Sequence, residues 1–380
     1  MALTNPDFPT SEYEQRLERA QRAMQAQGLD ALLLTNEADV RYFSGFRTLF
    51  WQSPTRPWFL VLPKSGKPVA VIPEIGANLM ASTWLDDIRT FSSPHETDDG
   101  ITLLAAVLKK SDRIGLPMGR ESTLRMPLND FKRLRSALHL SEWVDAAPLV
   151  QGLRMVKSEL EIETISDICR IASDGFASAA DLFQEGQTLK EAFRAFRIEL
   201  LSQGADDVPY LVGGAGQDGY GDVISPPDDR QLAAGDVLML DTGATLNGYF
   251  CDFDRNFAIG HASDAARRAY STLYVATDVA IATARPGVTC ADLFHAMADV
   301  IGTTGSDVGR FGHGLGMQLT EAPSLIDFDD TVLTEGMVIT LEPSMEVADG
   351  KIMVHEENIV IRDGPPTLLT RRAPPDLPVL

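Results

Sequence analysis

The 380 residues are too many for one ordinary hydrophobic core, so two domains are expected. Apolar residues make up 44% and charged residues 23%, as in soluble globular proteins, and the net charge of −21 argues against nucleic acid as a partner because it repels phosphate backbones. No apolar run reaches the ~20 residues of a membrane span, and the start "MALTNPDFPTSEYEQRLERAQ" lacks the basic and apolar segments of a signal peptide, so no membrane partner and a cytoplasmic location are expected.

The stretch "SEYEQRLERAQRAMQAQGLD" has helical spacing with Gly28 as a stop signal, and "ALLLTN" follows as a buried strand. "WFLVLP" and "PVAVIP", joined by a turn over 64–67, predict a hairpin, and "GITLLAAVLKKSDRIGLP" predicts a helix and then a strand. These elements make an α/β domain over residues 1–150. Within it, Trp51, Arg56 and Trp58 are read as packing, with a loop that reaches a neighbouring subunit as the alternative.

Residues 151–380 have a different texture. Ser158 caps one long helix, and Thr188 and Glu191 are spaced as the capping box of the next. The strand-rich "VLMLDTGATLNGYFCDFDRNFAIG" turns at Asn247-Gly248. Two further helices follow, and the chain closes on strands around "MVITLEPSMEV" and "IMVHEENIVIRD". Helices mixed with hairpins predict an α+β domain with a curved antiparallel sheet. The glycine-rich "GGAGQDGYGD" is read as a flexible loop near the site. Cys169, Cys251 and Cys290 make no CxxC pair and are expected to be buried and inert.

The chemistry gathers in this second domain. Asp241 and Asp252 are expected to face each other across the hairpin, with Asp254 on the same strand face as Asp252. Two facing aspartates repel unless a cation lies between them. Glu342 follows an apolar strand, Glu356 is expected inside another, and His313 sits between two glycines. His355 is expected to face away from Glu356, and His295 to serve packing or the surface. Two Asp, one His and two Glu form a set suited to two divalent ions such as Mn, Fe, Co or Zn.

The segments "LMLDTGATLNGYFCDFDR", "FGHGLG", "ITLEPS" and "HEENIVI" resemble the "pita-bread" metallopeptidases: aminopeptidase P, prolidase and, without metal, creatinase. "LDALLLTNEADVRYFSGF" resembles the creatinase-type N-terminal domain, so the likeness spans nearly the whole chain. It implies five metal ligands in order, Asp241, Asp252, His313, Glu342 and Glu356, with Asp252 and Glu356 bridging two ions that share a water or hydroxide. Glu342 would also handle the proton. The resemblance further implies a homodimer that hydrolyses Xaa-Pro dipeptides. Three positions depart from the family pattern. Thr320 holds the place of a second histidine that contacts substrate, Ile224 lies near where another histidine is usual, and Asp254 replaces a threonine. Since a hydroxyl carries no charge near neutral pH, weak turnover of Xaa-Pro dipeptides is expected. The alternative is the same cage acting on a small zwitterion, as in creatinase-, ectoine hydrolase- or dimethylsulfoniopropionate lyase-like cleavage.

Overall fold

The computed structural model describes residues 7–53, 56–303 and 309–380. The chain divides into two compact units, Met1–Arg154 and Met155–Leu380. The first is built on a six-stranded sheet in the order Asp87–Phe91, Val69–Pro73, Phe59–Pro63, Ala31–Leu34, Arg113–Leu116, Glu142–Asp145. The predicted hairpin pairs Phe59 with Val71 and Val61 with Val69, and Ala31–Leu34 lies antiparallel to its first arm. The remaining pairings are parallel. Side chains alternate across a strand. Leu33, Val61, Val71 and Ile114 therefore present apolar groups that Leu104, Leu108 and Leu134 of helices Ile101–Leu108 and Leu128–Ala137 cover.

Helix Thr10–Gln27 ends where Gly28 adopts a left-handed conformation with φ of 65°. Trp58 packs against Phe46 and Trp51, with ring centroids 5.1 and 6.0 Å away. Arg125 lies over Trp51 and donates to the carbonyls of Trp51, Ser53 and Arg56. The aromatic residues thus serve packing within the unit; Pro54 and Thr55 of this loop lie outside the described residues.

Every sheet of the second unit is antiparallel among the described residues. Asp236–Leu246 is central to one sheet, between Asp207–Gln217 and Phe253–Ala258. Asn247 and Gly248 both take positive φ, 46° and 69°, the two-residue turn that matches strand twist. A second sheet runs Glu321–Ser324, His313–Gly314, Val338–Leu341, Glu357–Val360, Thr367–Leu368, and Ser344–Ala348 pairs with Lys351–Val354 as a separate ribbon. Helices Asp264–Thr283 and Cys290–Ile301 bury Ala276, Ala280, Leu293 and Phe294 with Ile339, Leu341 and Ile359. Helices Glu159–Ala177 and Leu189–Gln203 begin with capping boxes, Ser158 with Glu161 and Thr188 with Glu191. The three cysteines are free and buried.

Two expectations change. The glycine-rich stretch is no loop at its start: residues 213–217 complete the strand Asp207–Gln217. Gly213 has φ of 139°, and a Cβ there would collide with the Met239 carbonyl oxygen, so glycine is what lets the two strands approach. Glu356 is not inside a strand. It lies with His355 in the break between Lys351–Val354 and Glu357–Val360, where the chain passes from the ribbon to the sheet.

Gly213→Ala is expected to cost about 1–3 kcal/mol of stability beyond the loss in Gly186→Ala. Gly186 also has positive φ, but open space surrounds it. Urea denaturation of the two variants checks this, and equal losses would contradict it.

Candidate metal centre

The ladder between Asp236–Leu246 and Phe253–Ala258 sets the first carboxylates. Asp254 is paired directly with Asp241, and Phe253 with Thr242. Asp252 therefore does not face Asp241 as expected. It lies two residues from Asp254 and so on a diagonal from Asp241, which is still within reach across one sheet face. The backbone of Asp252 is fixed by Asn358 of the other sheet. The Asp252 N–H donates to Asn358 Oδ1 at 3.1 Å, and Asn358 Nδ2 donates to the Asp252 carbonyl.

His313 sits in a two-residue strand between Glu321–Ser324 and Val338–Leu341. Its N–H donates to Thr340 Oγ1 at 3.1 Å, and its Nδ1 lies 2.8 Å from the Gly314 carbonyl. A carbonyl only accepts, so Nδ1 carries a hydrogen, and the ring turns its Nε2 toward the acids. Nε2 is 3.3 Å from Asp252 Oδ2 and 3.8 Å from Glu342 Oε1. Asp252, His313 and Glu356 are all buried and offer ligand atoms within 4.8 Å of one another. Asp241 and Glu342 fall outside that triad. Glu342 adjoins it through His313, and Asp241 stands on the central strand beside it.

Burial pushes the carboxyls of Asp241, Asp252, Asp254 and Glu356 well above the ordinary range. Repulsion from neighbouring carboxylates adds to this for Asp241, Asp254 and Glu356. Glu342 is raised by burial too, against the opposing pull of His313. Oδ1 of Asp241, Oδ1 of Asp254 and Oε1 of Glu356 are buried without a hydrogen-bond partner. Asp254 Oδ2 accepts from Asn256 Nδ2 at 2.6 Å, and the Tyr210 hydroxyl lies near enough to the Asp241 carboxylate to oppose the effect of burial. Buried acceptors without donors, beside an imidazole nitrogen, fit the ligand set of divalent cations.

Thr320 is half-buried, and its Oγ1 accepts from Arg310 Nη2 at 3.3 Å. Arg310 Nε lies 3.8 Å from Glu342 Oε1. Arg310, Tyr210 and Asn358 were not singled out in the sequence. A charged residue three positions before His313, between two glycines, was the available signal for the first. Ile224 is exposed and brings nothing to the site. His355 turns away as expected, toward helix Asp264–Thr283, where it meets Thr277 Oγ1 at 3.1 Å. Burial lowers its pKa to about 3. His295 is exposed. Among the described residues no helix is long and apolar enough to cross a membrane.

Comparison with known proteins agrees with this geometry. The family model of metallopeptidase family M24 matches residues 163–363, and that of the creatinase/prolidase N-terminal domain matches residues 16–156. A probable dipeptidase PepE of Mycobacterium tuberculosis is 30% identical, over 93% of this chain and 93% of its own length. An Xaa-Pro dipeptidase of Pyrococcus furiosus is 23% identical, over 92% and 96%. The crystal structure of dipeptidase PepE from Mycobacterium ulcerans superposes with a TM-score of 0.85 at 26% identity, covering 98% of this chain and 99% of that one. The match to the catalytic family, the likeness along both chains and the acid-rich centre have one consequence: the chain belongs to metallopeptidase family M24, with a creatinase/prolidase-type N-terminal domain.

Proposed function

We propose that the protein is a dipeptidase of the Xaa-Pro type that works with two divalent cations held by Asp241, Asp252, His313, Glu342 and Glu356. The observation that carries this reading is the buried Asp252–His313–Glu356 triad, whose acidic surroundings keep acceptor atoms without donors. Divalent ions bound there would supply a water whose pKa is lowered toward neutrality, and so a nucleophile. Asp252 and Glu356, which lie together with His313, would be shared between the ions. Glu342, with a side chain 23% exposed, is open to substrate. It would take a proton from the attacking water and pass it to the departing amine nitrogen. Gly314, by accepting from Nδ1 of His313, keeps Nε2 directed at the ligand cluster.

The peptide substrate rests on the relatives named as dipeptidases along nearly the full length of the chain. Thr320 alone would leave turnover weak, since it supplies one uncharged hydroxyl. Arg310 beside it brings back a positive charge, which changes that expectation. Free, buried thiols suit a reducing compartment, so we assign the protein to the cytoplasm, with a homodimer as the active form.

The first test is elemental analysis after metal loading, which should give close to two ions per chain. It is joined to assays of Xaa-Pro dipeptides in Mn, Co, Fe and Zn, with kcat/KM expected at or above ~10⁴ M⁻¹s⁻¹ for one metal. Asp252→Ala and Glu356→Ala should abolish that turnover while the far-ultraviolet spectrum stays unchanged. No metal uptake by the folded protein, or full activity in either variant, would sink the reading.

The raised carboxyls also fix the sign of a pH effect. Without metal, the folded chain holds protons on these acids at pH values where the unfolded chain, with ordinary values near 4, has released them. Stability of the metal-free protein therefore falls as pH rises through the raised values. Cations must displace those protons, so metal affinity rises with pH. The melting-temperature gap between metal-loaded and metal-free protein should be wider at pH 8 than at pH 5. A gap that narrows would contradict the assignment of these acids as ligands.

Asp254 is proposed to tighten the centre from behind, since it stands opposite Asp241 with one oxygen unpartnered. Asp254→Thr is expected to weaken metal affinity about 10-fold, the scale of a partner that orients a ligand. Unchanged affinity in a competition titration would make Asp254 a spectator.

A further inference from the structure

We propose that Arg310 is the anion-binding residue of this centre, and that its guanidinium, together with the Thr320 hydroxyl, receives an anionic oxygen of the substrate. This deepens the dipeptidase reading and rests on it. The Glu342 edge of the centre is open to solvent. The side chains of His313 and Asp252 are 4% and 6% exposed, whereas those of Glu342 and Arg310 are 23% and 31% exposed. A substrate that meets Glu342 therefore meets Arg310 next to it. The guanidinium spans from Thr320 Oγ1, 3.3 Å from Nη2, to Glu342 Oε1, 3.8 Å from Nε. It is a planar fork suited to two-point recognition of a carboxylate or of a tetrahedral oxyanion.

The family resemblance put an imidazole at position 320. The hydroxyl found there cannot carry its charge, but Arg310, which touches that hydroxyl, can.

The test uses the full-length, metal-loaded protein with inorganic phosphate as the probe, in the wild type, Arg310→Gln and Arg310→Lys, with metal content measured in each. Arg310→Gln should weaken phosphate at least about 10-fold, the scale of one charge-assisted hydrogen bond, at unchanged metal content. Arg310→Lys should lie between the two, and it keeps the comparison available if the glutamine variant does not fold. Equal phosphate affinity in wild type and variants overturns the proposal. So does a loss of metal in step with phosphate, because Arg310 would then only brace Glu342. A second arm compares Ala-Pro with its C-terminal amide. A loss in Arg310→Gln that falls mainly on the free acid identifies the substrate carboxylate as the anion, and an equal loss in kcat on both identifies the oxyanion. If neither peptide is turned over by the wild type, the dipeptidase reading fails while the phosphate comparison still decides the role of Arg310.

Discussion

Asp241, Asp252, Asp254, Glu342 and Glu356 share a volume from which water is largely excluded. Two unit charges 4 Å apart repel by about 4 kcal/mol at the effective dielectric of such a site. Burial adds a further cost to each ionised group. A protein of ordinary stability, with about 5–15 kcal/mol to lose, does not collect such a set without something that offsets it. Protonation offsets it in acid, and divalent cations offset it at neutral pH. The geometry of the second unit follows from holding these acids close enough together for cations to be the better solution.

The holding is done by backbone and by a second, separate charge network. Asn358 fixes the main chain of Asp252 from the neighbouring sheet. Arg255 donates to the carbonyls of both Asp254 and Glu356, and so ties the two ligand-bearing segments to one guanidinium. Adjacent glutamates then meet opposite fates. Burial would raise Glu357 as it raises Glu356. Arg255 instead brings Glu357 below its ordinary range, helped by the Thr370 hydroxyl and the Ala373 N–H. Glu357 also pairs with Arg372 at 3.0 Å. One of the two carboxylates is thus satisfied entirely by protein. Its neighbour keeps an oxygen with no donor, which fits the ligand role proposed for it.

Much of this was legible in the sequence where local rules decide. The capping boxes at Ser158 and Thr188, the Asn247-Gly248 turn and the stop at Gly28 are each set by a few neighbouring residues. The register of the ligand hairpin was not, because Asp252 and Asp254 lie on one face and alternation cannot say which of them meets Asp241. The apolar letters around Glu356 suggested one strand, where the chain changes sheets between residues 354 and 357. The glycines of 213–217 suggested a loop, where they serve close strand approach. Arg310 was hidden for a different reason: its partner, Thr320, is brought to it by the turn that follows His313, and no periodicity encodes that contact.

That turn also explains why a threonine can stand where chemistry would seem to want an imidazole. A Cβ at Gly312 would collide with the Thr340 carbonyl, one at Gly314 with the Ala322 carbonyl, and one at Gly316 with the Glu321 carboxylate. Glycines at these places let the segment fold back tightly on itself. Glu321 then anchors the returning arm: it accepts from the Gln318 N–H at 3.0 Å and pairs with Lys157 at 3.4 Å, both side chains being buried. Removing one member of a buried pair costs about 3–5 kcal/mol, so Glu321 is bound to the fold. Thr320, half-buried and one residue earlier, accepts instead from Arg310, a side chain of the site itself. The residue that fixes the position is thereby separate from residue 320. The proposed transfer of charge from the 320 side chain to Arg310 leaves untouched how His313 is held.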